Sequence, residues 1–179
     1  MIKAAFGLLF STMCSAARVK CGIQLDAKPV EDAKLNLILE DGRIAPTGCN
    51  YQPQRIFVIQ SKEAMEKAIS TKASLYGCPV ALLVCYDKDT VWKNPADRLF
   101  GNYNCGEQDA SIVAASMMFQ AEELGVHSLW IRGFVAQAVI DAFALPNNII
   151  PVMILALGYP SKSSHPAHLH KSAKTSRKR

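Results

Sequence analysis

The chain has 179 residues, half of them apolar and a fifth charged, and its net charge is +5. This length suits one domain with a sizeable core, and the composition excludes a disordered, collagen-like or coiled-coil chain. No apolar run approaches the roughly 18 residues that a membrane-spanning helix needs, so we expect no membrane partner. The six cysteines include no CxxC pair, which favours free thiols in a reducing compartment and predicts a cytoplasmic protein.

The two ends of the chain each allow more than one interpretation. Residues 1–17, MIKAAFGLLFSTMCSAA, resemble a minimal secretory signal, but they also suit an amphipathic helix, which the cysteine pattern favours. Five basic residues fall within residues 171–179. Such a tail can contact phosphate, nucleic acid or a membrane, whereas a solvated end is the simpler interpretation, so we expect no nucleic-acid partner. The HxxHxH pattern at residues 165–170 could hold a metal, but without an acidic or thiol partner nearby we expect none.

Helical and strand-like segments alternate along the chain. In residues 29–44, Pro29 near the start and Gly42 near the end bracket helical spacing. Further helices are predicted at residues 61–70, 109–125 and 137–143, and strands at residues 55–60, 79–86, 128–134 and 151–158. The second and fourth of these strands are almost wholly apolar, as in strands covered on both faces. The alternation predicts an α/β or α+β sandwich with a central sheet between helices.

The predicted helix at residues 109–125 is apolar nearly all round in its middle, IVAASMMF. This predicts burial on most sides, by its own core or by a second subunit. Before it lies a long polar loop with Trp92 and Tyr103, which either cap a substrate site or only pack. We interpret Glu107 and Asp109 as charges at the helix N-terminus rather than as catalytic acids.

The segment APTGCNYQPQ, residues 45–54, places polar side chains between a predicted helix and a predicted strand. Thr47, Asn50 and Gln52 lie between two prolines, so the turn is rigid and can offer amide and hydroxyl groups to the edge of a flat polar ligand. Alternatively, Thr47 and Asn50 only cap local backbone. Cys49 is either a reactive thiol or a packed one.

Three separated segments together resemble the FMN-dependent nitroreductases: GRIAPTGCNYQPQRIFVI (42–59), DASIVAASMMFQAEELGVHSLWIRGF (109–134) and PVMILALGYP (151–160). The resemblance covers about residues 28–160. It implies a single α+β domain over residues 1–179, a three-layer sandwich whose mostly antiparallel central sheet is flanked by helices. Residues 1–25 are then a divergent N-terminal segment, and residues 161–179 are a basic C-terminal tail.

The resemblance also implies a function. The protein would be a homodimer with FMN at the subunit interface. NAD(P)H would deliver hydride to flavin N5 and leave before a nitroaromatic, quinone or similar acceptor takes the electrons, in a ping-pong mechanism. The flavin would carry the chemistry of this NAD(P)H oxidoreductase, and no side chain would be catalytic.

The flavin contacts that the resemblance implies fall in two segments. Residues at the first turn lie against the ring: Pro46, Thr47, Asn50 and Gln52. The second segment is Ile131, Arg132 and Gly133, where a backbone N–H of Arg132 or Gly133 would point towards flavin N5. Gly133 would permit close approach of the main chain to the ring, and the Arg132 side chain would be only a surface group.

The expected phosphate site departs from the family pattern. Relatives carry an Arg-x-Ser-x-Arg-like motif onto which Lys20, Cys21 and Ile23 align, and only Lys20 keeps the charge. His170 or Lys171 occupies about the position at which relatives return a basic residue to the phosphate. A lost guanidinium contact weakens phosphate binding. The loss of charge in this motif supports a second hypothesis. The protein would then have the nitroreductase fold but weak or lost FMN binding, and would serve as a non-catalytic flavin-binding or storage module.

Overall fold

The structure is a computed structural model that describes residues 25–94, 96 and 104–161. Four residues of the predicted phosphate site, Lys20, Cys21, His170 and Lys171, lie outside the described residues. The same holds for most of the two terminal segments, for the HxxHxH pattern and for Tyr103. Among the described residues, no helix has the length and apolar character needed to cross a membrane.

The described residues form five strands and four α-helices. In chain order these are β1 (Leu25–Asp26), α1 (Asp32–Ile44), a short 3-10 turn (Gly48–Asn50), β2 (Gln54–Ile59), α2 (Lys62–Ser70), β3 (Val80–Asp87), α3 (Gly106–Glu123), β4 (His127–Ile131), α4 (Ala136–Phe143) and β5 (Ile149–Pro160). The predicted helices and strands are confirmed, and β1 was not predicted.

Two helix starts differ from the prediction. Pro29 precedes α1, which begins at Asp32 because the backbone of Glu31 is still extended. Helix α3 begins at Gly106, three residues before Asp109. The absence of a side chain at Gly106 lets the helix start lie against the Tyr86 ring, since a Cβ there would come within 2.4 Å of two ring carbons.

The sheet is antiparallel throughout the described strands. Its order is β2-β3-β5-β4, and β1 pairs with the far end of β5. Strand β5 carries one bulge: Cys85 pairs with Pro151 and Val84 with Met153, so Val152 is the extra residue. The arrangement confirms the prediction of a mostly antiparallel sheet.

Side chains alternate across the sheet and divide the core into two clusters. One set from β3 packs with α1 and α3 in the first core cluster: Val80, Leu82, Val84 and Tyr86. The intervening set packs with α2 and α4 in the second core cluster: Ala81, Leu83 and Cys85. Because both faces are covered, every residue of β3 is buried. The fold is therefore the predicted α+β sandwich of three layers, with helices on both sides of the sheet.

Candidate functional site

The segment before β2 forms a tight, strained turn at residues 46–52, here called the 46–52 turn. Three of its residues that are not glycine have positive φ angles: Cys49 at 48°, Asn50 at 58° and Gln52 at 50°. Asparagine tolerates this left-handed conformation better than most residues, but cysteine and glutamine do not share that advantage. Strained backbone of this kind persists only where surrounding contacts hold it.

Local hydrogen bonds shape this turn. The Gln52 N–H donates to Thr47 Oγ1 at 3.0 Å, which is the backbone-capping role left open for Thr47. The Gln52 side chain donates from Nε2 to Asn50 Oδ1 at 3.1 Å, and both amide groups are exposed. Asn50 Nδ2 and Gln52 Oε1 bond to none of the described residues. The turn therefore leaves the Asn50 amide nitrogen as a free donor group and the Gln52 amide oxygen as a free acceptor group.

Two acidic residues tie the turn to the rest of the fold. The Gly48 N–H donates to Asp109 Oδ1 at 2.8 Å, although 61 positions separate the two residues. At the other end, Arg55 Nη1 donates to the Gln52 carbonyl at 3.3 Å, while its Nη2 lies 3.3 Å from Asp87 Oδ2. These contacts fix the first and the last part of the turn.

Asp87 and Asp109 have opposite electrostatic environments. The pKa of Asp87 is lowered, first by the hydrogen bond from the Asp89 N–H and further by the Asn148 amide and the Arg55 charge. Burial raises the pKa of Asp109, and the bond from the Gly48 N–H only partly opposes that effect. Asp109 is 2% exposed, so the expectation of a simple charge at the helix N-terminus is incomplete.

The second predicted segment, residues 131–134, turns the chain from β4 into α4 and is here called the 131–134 bend. Ile131 is buried in the second core cluster, whereas Arg132 and Gly133 are exposed. The N–H groups of Arg132 and Gly133 have no hydrogen-bond partner among the described residues. The Arg132 guanidinium lies 5.4 Å from the centre of the Phe134 ring, so this side chain packs on its own bend.

The 46–52 turn and the 131–134 bend lie at the same end of the sheet but on opposite edges. Gln54 pairs with Tyr86, which in turn pairs with Ile150 near the start of β5. The bend follows β4 towards that same end. Three strand spacings separate β2 from β4, which amounts to about 14 Å. The turn contacts α3 and the bend leads into α4 on the other side of the sheet, so one chain does not bring them together.

The remaining candidates are distributed around the turn. Trp92 packs against the first core cluster, in agreement with the packing alternative. Cys49 is exposed within the turn. Glu107 is exposed in the first turn of α3, where a carboxylate suits the helix macrodipole. Sequence patterns did not indicate the link between Asp109 and Gly48, because an acidic residue at a helix start has an ordinary local explanation.

Comparison with known sequences matches this chain to one family over most of its length. The nitroreductase family model matches residues 23–74 and 70–159. The chain belongs to the nitroreductase family. The family resemblance predicted from the three segments is therefore confirmed.

Individual relatives agree with this family assignment. A nitroreductase family protein from Clostridium difficile 630 is 41% identical, with a TM-score of 0.78 over 86% of each chain. The FMN reductase (NAD(P)H) of Bacillus subtilis strain 168 is 28% identical over 153 residues, which cover 76% of this chain and 61% of that reductase. A nitroreductase with bound FMN from Bacteroides fragilis NCTC 9343 shares the nitroreductase fold, at 18% identity and a TM-score of 0.63, over 95% of this chain and 94% of its own.

Proposed function

We propose that this nitroreductase family member is an FMN-dependent NAD(P)H oxidoreductase that works as a homodimer. One observation carries the proposal: a strained turn with free amide groups and a bend with free backbone N–H groups lie at the same end of the sheet. When bound, FMN supplies hydride acceptance and electron transfer to an acceptor, chemistry for which no amino-acid side chain substitutes.

The described residues fit the flavin ring. Isoalloxazine has one edge with both donors and acceptors, and the amides of Asn50 and Gln52 offer both. Pro46 and Thr47 hold the start of that turn. On the bend, the N–H groups of Arg132 and Gly133 can donate to a ring nitrogen, and Ile131 supplies an apolar neighbour.

The phosphate of FMN needs positive charge, which we assign to the two terminal segments. Lys20 and Cys21 would meet the phosphate from one side, and His170 or Lys171 from the other. Because only Lys20 keeps the charge of the family motif, we expect FMN affinity to depend strongly on it. Loss of one such contact weakens binding by about one to two decades.

The separation of the two proposed flavin segments within one chain supports a homodimer. A ring that contacts both needs the 46–52 turn from one subunit and the 131–134 bend from its partner. Helix α3 leaves Ile112 and Phe119 substantially exposed at positions seven apart, on one face, and α1 does the same with Leu37 and Ile44. Apolar faces of this kind suit an extended interface between subunits.

The cellular environment follows from the cysteines. Those in the described residues are free thiols, and burial raises the pKa of Cys78 to about 11 and of Cys85 to about 12. Unpaired, inert thiols suit a reducing compartment, so we place the protein in the cytoplasm.

In this reaction the described residues would bind and orient the flavin, which would supply the electron transfer. NAD(P)H and the acceptor would occupy one binding site in turn, which supports a ping-pong order. Nitroaromatics and quinones suit such a site because they accept electrons without a specific side-chain acid, and water can supply the proton. The protein contributes fixed donors and the exclusion of water around the ring.

The absorbance spectrum of the purified protein tests this function, before and after addition of FMN. We expect a band near about 450 nm that NADH or NADPH bleaches without oxygen and that a quinone or nitroaromatic restores. Initial-rate plots at several acceptor concentrations should give parallel lines. A colourless protein that FMN does not reconstitute would contradict the proposal. A yellow protein that neither NADH nor NADPH bleaches would instead support the non-catalytic flavin-binding module.

A further inference from the structure

The first turn of α3 contains two carboxylates in different surroundings. Glu107 is exposed, as expected of a residue that only complements the helix dipole. Asp109, two residues later, is 2% exposed. A buried carboxylate is costly unless it has a specific partner, so helix capping alone does not explain this residue.

The partner of Asp109 is the backbone of the proposed flavin turn. Its Oδ1 accepts the Gly48 N–H at 2.8 Å, a hydrogen bond between elements that are distant in sequence. The contact requires close approach of the turn to α3. A Cβ at Gly48 would lie 3.2 Å from Cys105 Sγ and 3.3 Å from Cys105 Cβ, so a glycine suits this position.

The turn depends on such an external support. Its other hydrogen bonds are local, such as Asn50 N–H to the Thr47 carbonyl at 3.0 Å and Tyr51 N–H to the Gly48 carbonyl at 3.1 Å. Local bonds do not fix where the turn lies relative to the sheet. The bond to Asp109 does so at its start, whereas Arg55 contacts its end at a longer 3.3 Å.

The second oxygen of Asp109 is an independent sign of a specific role. Oδ2 is buried and has no hydrogen-bond partner among the described residues. A half-satisfied buried carboxylate costs stability, and such groups in native proteins call for an explanation beyond folding. Burial also raises the pKa of this carboxyl. The contact with the turn therefore depends on Oδ1 as a hydrogen-bond acceptor and not on the negative charge of the carboxylate.

We propose that Asp109 is a positioning residue that holds the backbone of Gly48 so that Asn50 and Gln52 face FMN in a fixed geometry. The inference rests on the proposed function, since it assigns a support to the same flavin turn. Asp109 touches no ligand in this role and acts through the turn. An asparagine would keep the acceptor for Gly48, whereas a leucine of similar size would leave that half-buried N–H without its acceptor.

The experiment compares wild type, Asp109→Asn and Asp109→Leu. The FMN dissociation constant is measured on the full-length apoprotein by quenching of flavin fluorescence, and the melting temperature of the apoprotein is measured beside it. We expect Asp109→Asn to bind FMN like wild type and Asp109→Leu to bind about ten- to a hundredfold more weakly. If Asp109→Leu does not fold, Asp109→Ala gives the same comparison, because alanine also lacks the acceptor and favours a helix.

The matched control is Ile59→Ala, a buried change at the far end of β2 in the second core cluster. It should lower the melting temperature but leave the FMN dissociation constant unchanged. Wild-type affinity in Asp109→Leu or Asp109→Ala would overturn the inference, and so would an equal loss of affinity in Ile59→Ala or in Asp109→Asn. If wild type binds no FMN, the proposed function is wrong. If wild type and Asp109→Leu bind FMN equally well, the proposed function stands and only the role of Asp109 is wrong.

Discussion

Glycines at two positions show how the surroundings of a single residue decide the effect of a substitution. A Cβ at Gly106 would lie 2.4 Å from ring carbons of the buried Tyr86. No atom of the described residues lies within 4 Å of a Cβ placed at Gly133. The first glycine therefore stabilises the fold, whereas the second has open space around it within the described part of the chain. That space is where we place the flavin ring.

Gly133→Ala should separate folding from flavin binding. We expect its free energy of unfolding as the apoprotein to stay within about 0.5 kcal/mol of wild type. Its FMN dissociation constant should rise by about one to two decades, because the methyl group occupies the space of close approach to the ring. Equilibrium denaturation and flavin fluorescence give the two numbers.

The control for that variant is Gly106→Ala, in which the methyl group meets the Tyr86 ring. It should lower the free energy of unfolding by about 1–3 kcal/mol. If Gly133→Ala bound FMN with wild-type affinity, the bend would not lie against the ring, and the assignment of Ile131, Arg132 and Gly133 would be wrong.

At the scale of elements, a polar cluster joins the start of α1 to the end of β5. The Tyr159 hydroxyl donates to Glu31 Oε2, and Lys34 Nζ donates to the Tyr159 oxygen at 3.0 Å. Lys28 Nζ lies 4.4 Å from the centre of the Tyr159 ring. The hydrogen bond from Tyr159 is the main reason that the pKa of Glu31 falls to about 2. Ionised Glu31 therefore stabilises the folded state.

Glu31→Gln should reduce thermal stability in a pH-dependent way. The folded pKa of about 2 lies below the value of about 4.3 in an unfolded chain. The contribution of Glu31 is therefore fully present above the unfolded value and is lost as pH falls towards the folded one. The difference in melting temperature between wild type and Glu31→Gln should be largest near neutral pH and should narrow below about pH 4. In the Tyr159→Phe background the same substitution should have a smaller effect. An equal difference at every pH would contradict the assignment.

For the molecule as a whole, the relevant feature is that α1 and α3 each expose an apolar face in the single chain. Ile112 is 42% exposed in the single chain, on a helix whose opposite side forms the core. The apolar sequence of this helix predicted burial by its own core or by a second subunit. The core accounts for one side only, and the proposed homodimer would cover the other.

Ile112→Glu should turn the dimer into a monomer. We expect wild type to show about twice the chain mass of 19.6 kDa by light scattering, and the variant to show the mass of a single chain. FMN binding should weaken in parallel, because each site would lose the segment that the partner provides. Ile69→Glu is the control, since Ile69 is 56% exposed on α2, on the other side of the sheet, and the variant should remain dimeric. A monomeric wild type would contradict the shared site.

The amino-acid pattern alone was enough to predict the types and order of the main helices and strands and to indicate the family. Apolar runs such as residues 79–86 predicted buried strands. A strand covered on both faces has no solvent-facing positions, so its sequence is continuously apolar and does not alternate between apolar and polar residues. Helical spacing likewise predicted each helix. The three family segments indicated the polar turn and the glycine bend as candidates before any geometry was known.

The contacts that hold those candidates, and their places in the fold, come from the packing of distant elements. Asp109 looked like an ordinary residue at a helix start, and its burial against Gly48 depends on chain folding over 61 positions. The left-handed conformations of Cys49 and Gln52 have no local sequence signal, since neither residue favours them. The placement of the turn and the bend on opposite edges follows from strand order. Periodicity reports which side of an element is buried, whereas contacts between distant elements depend on how the layers pack.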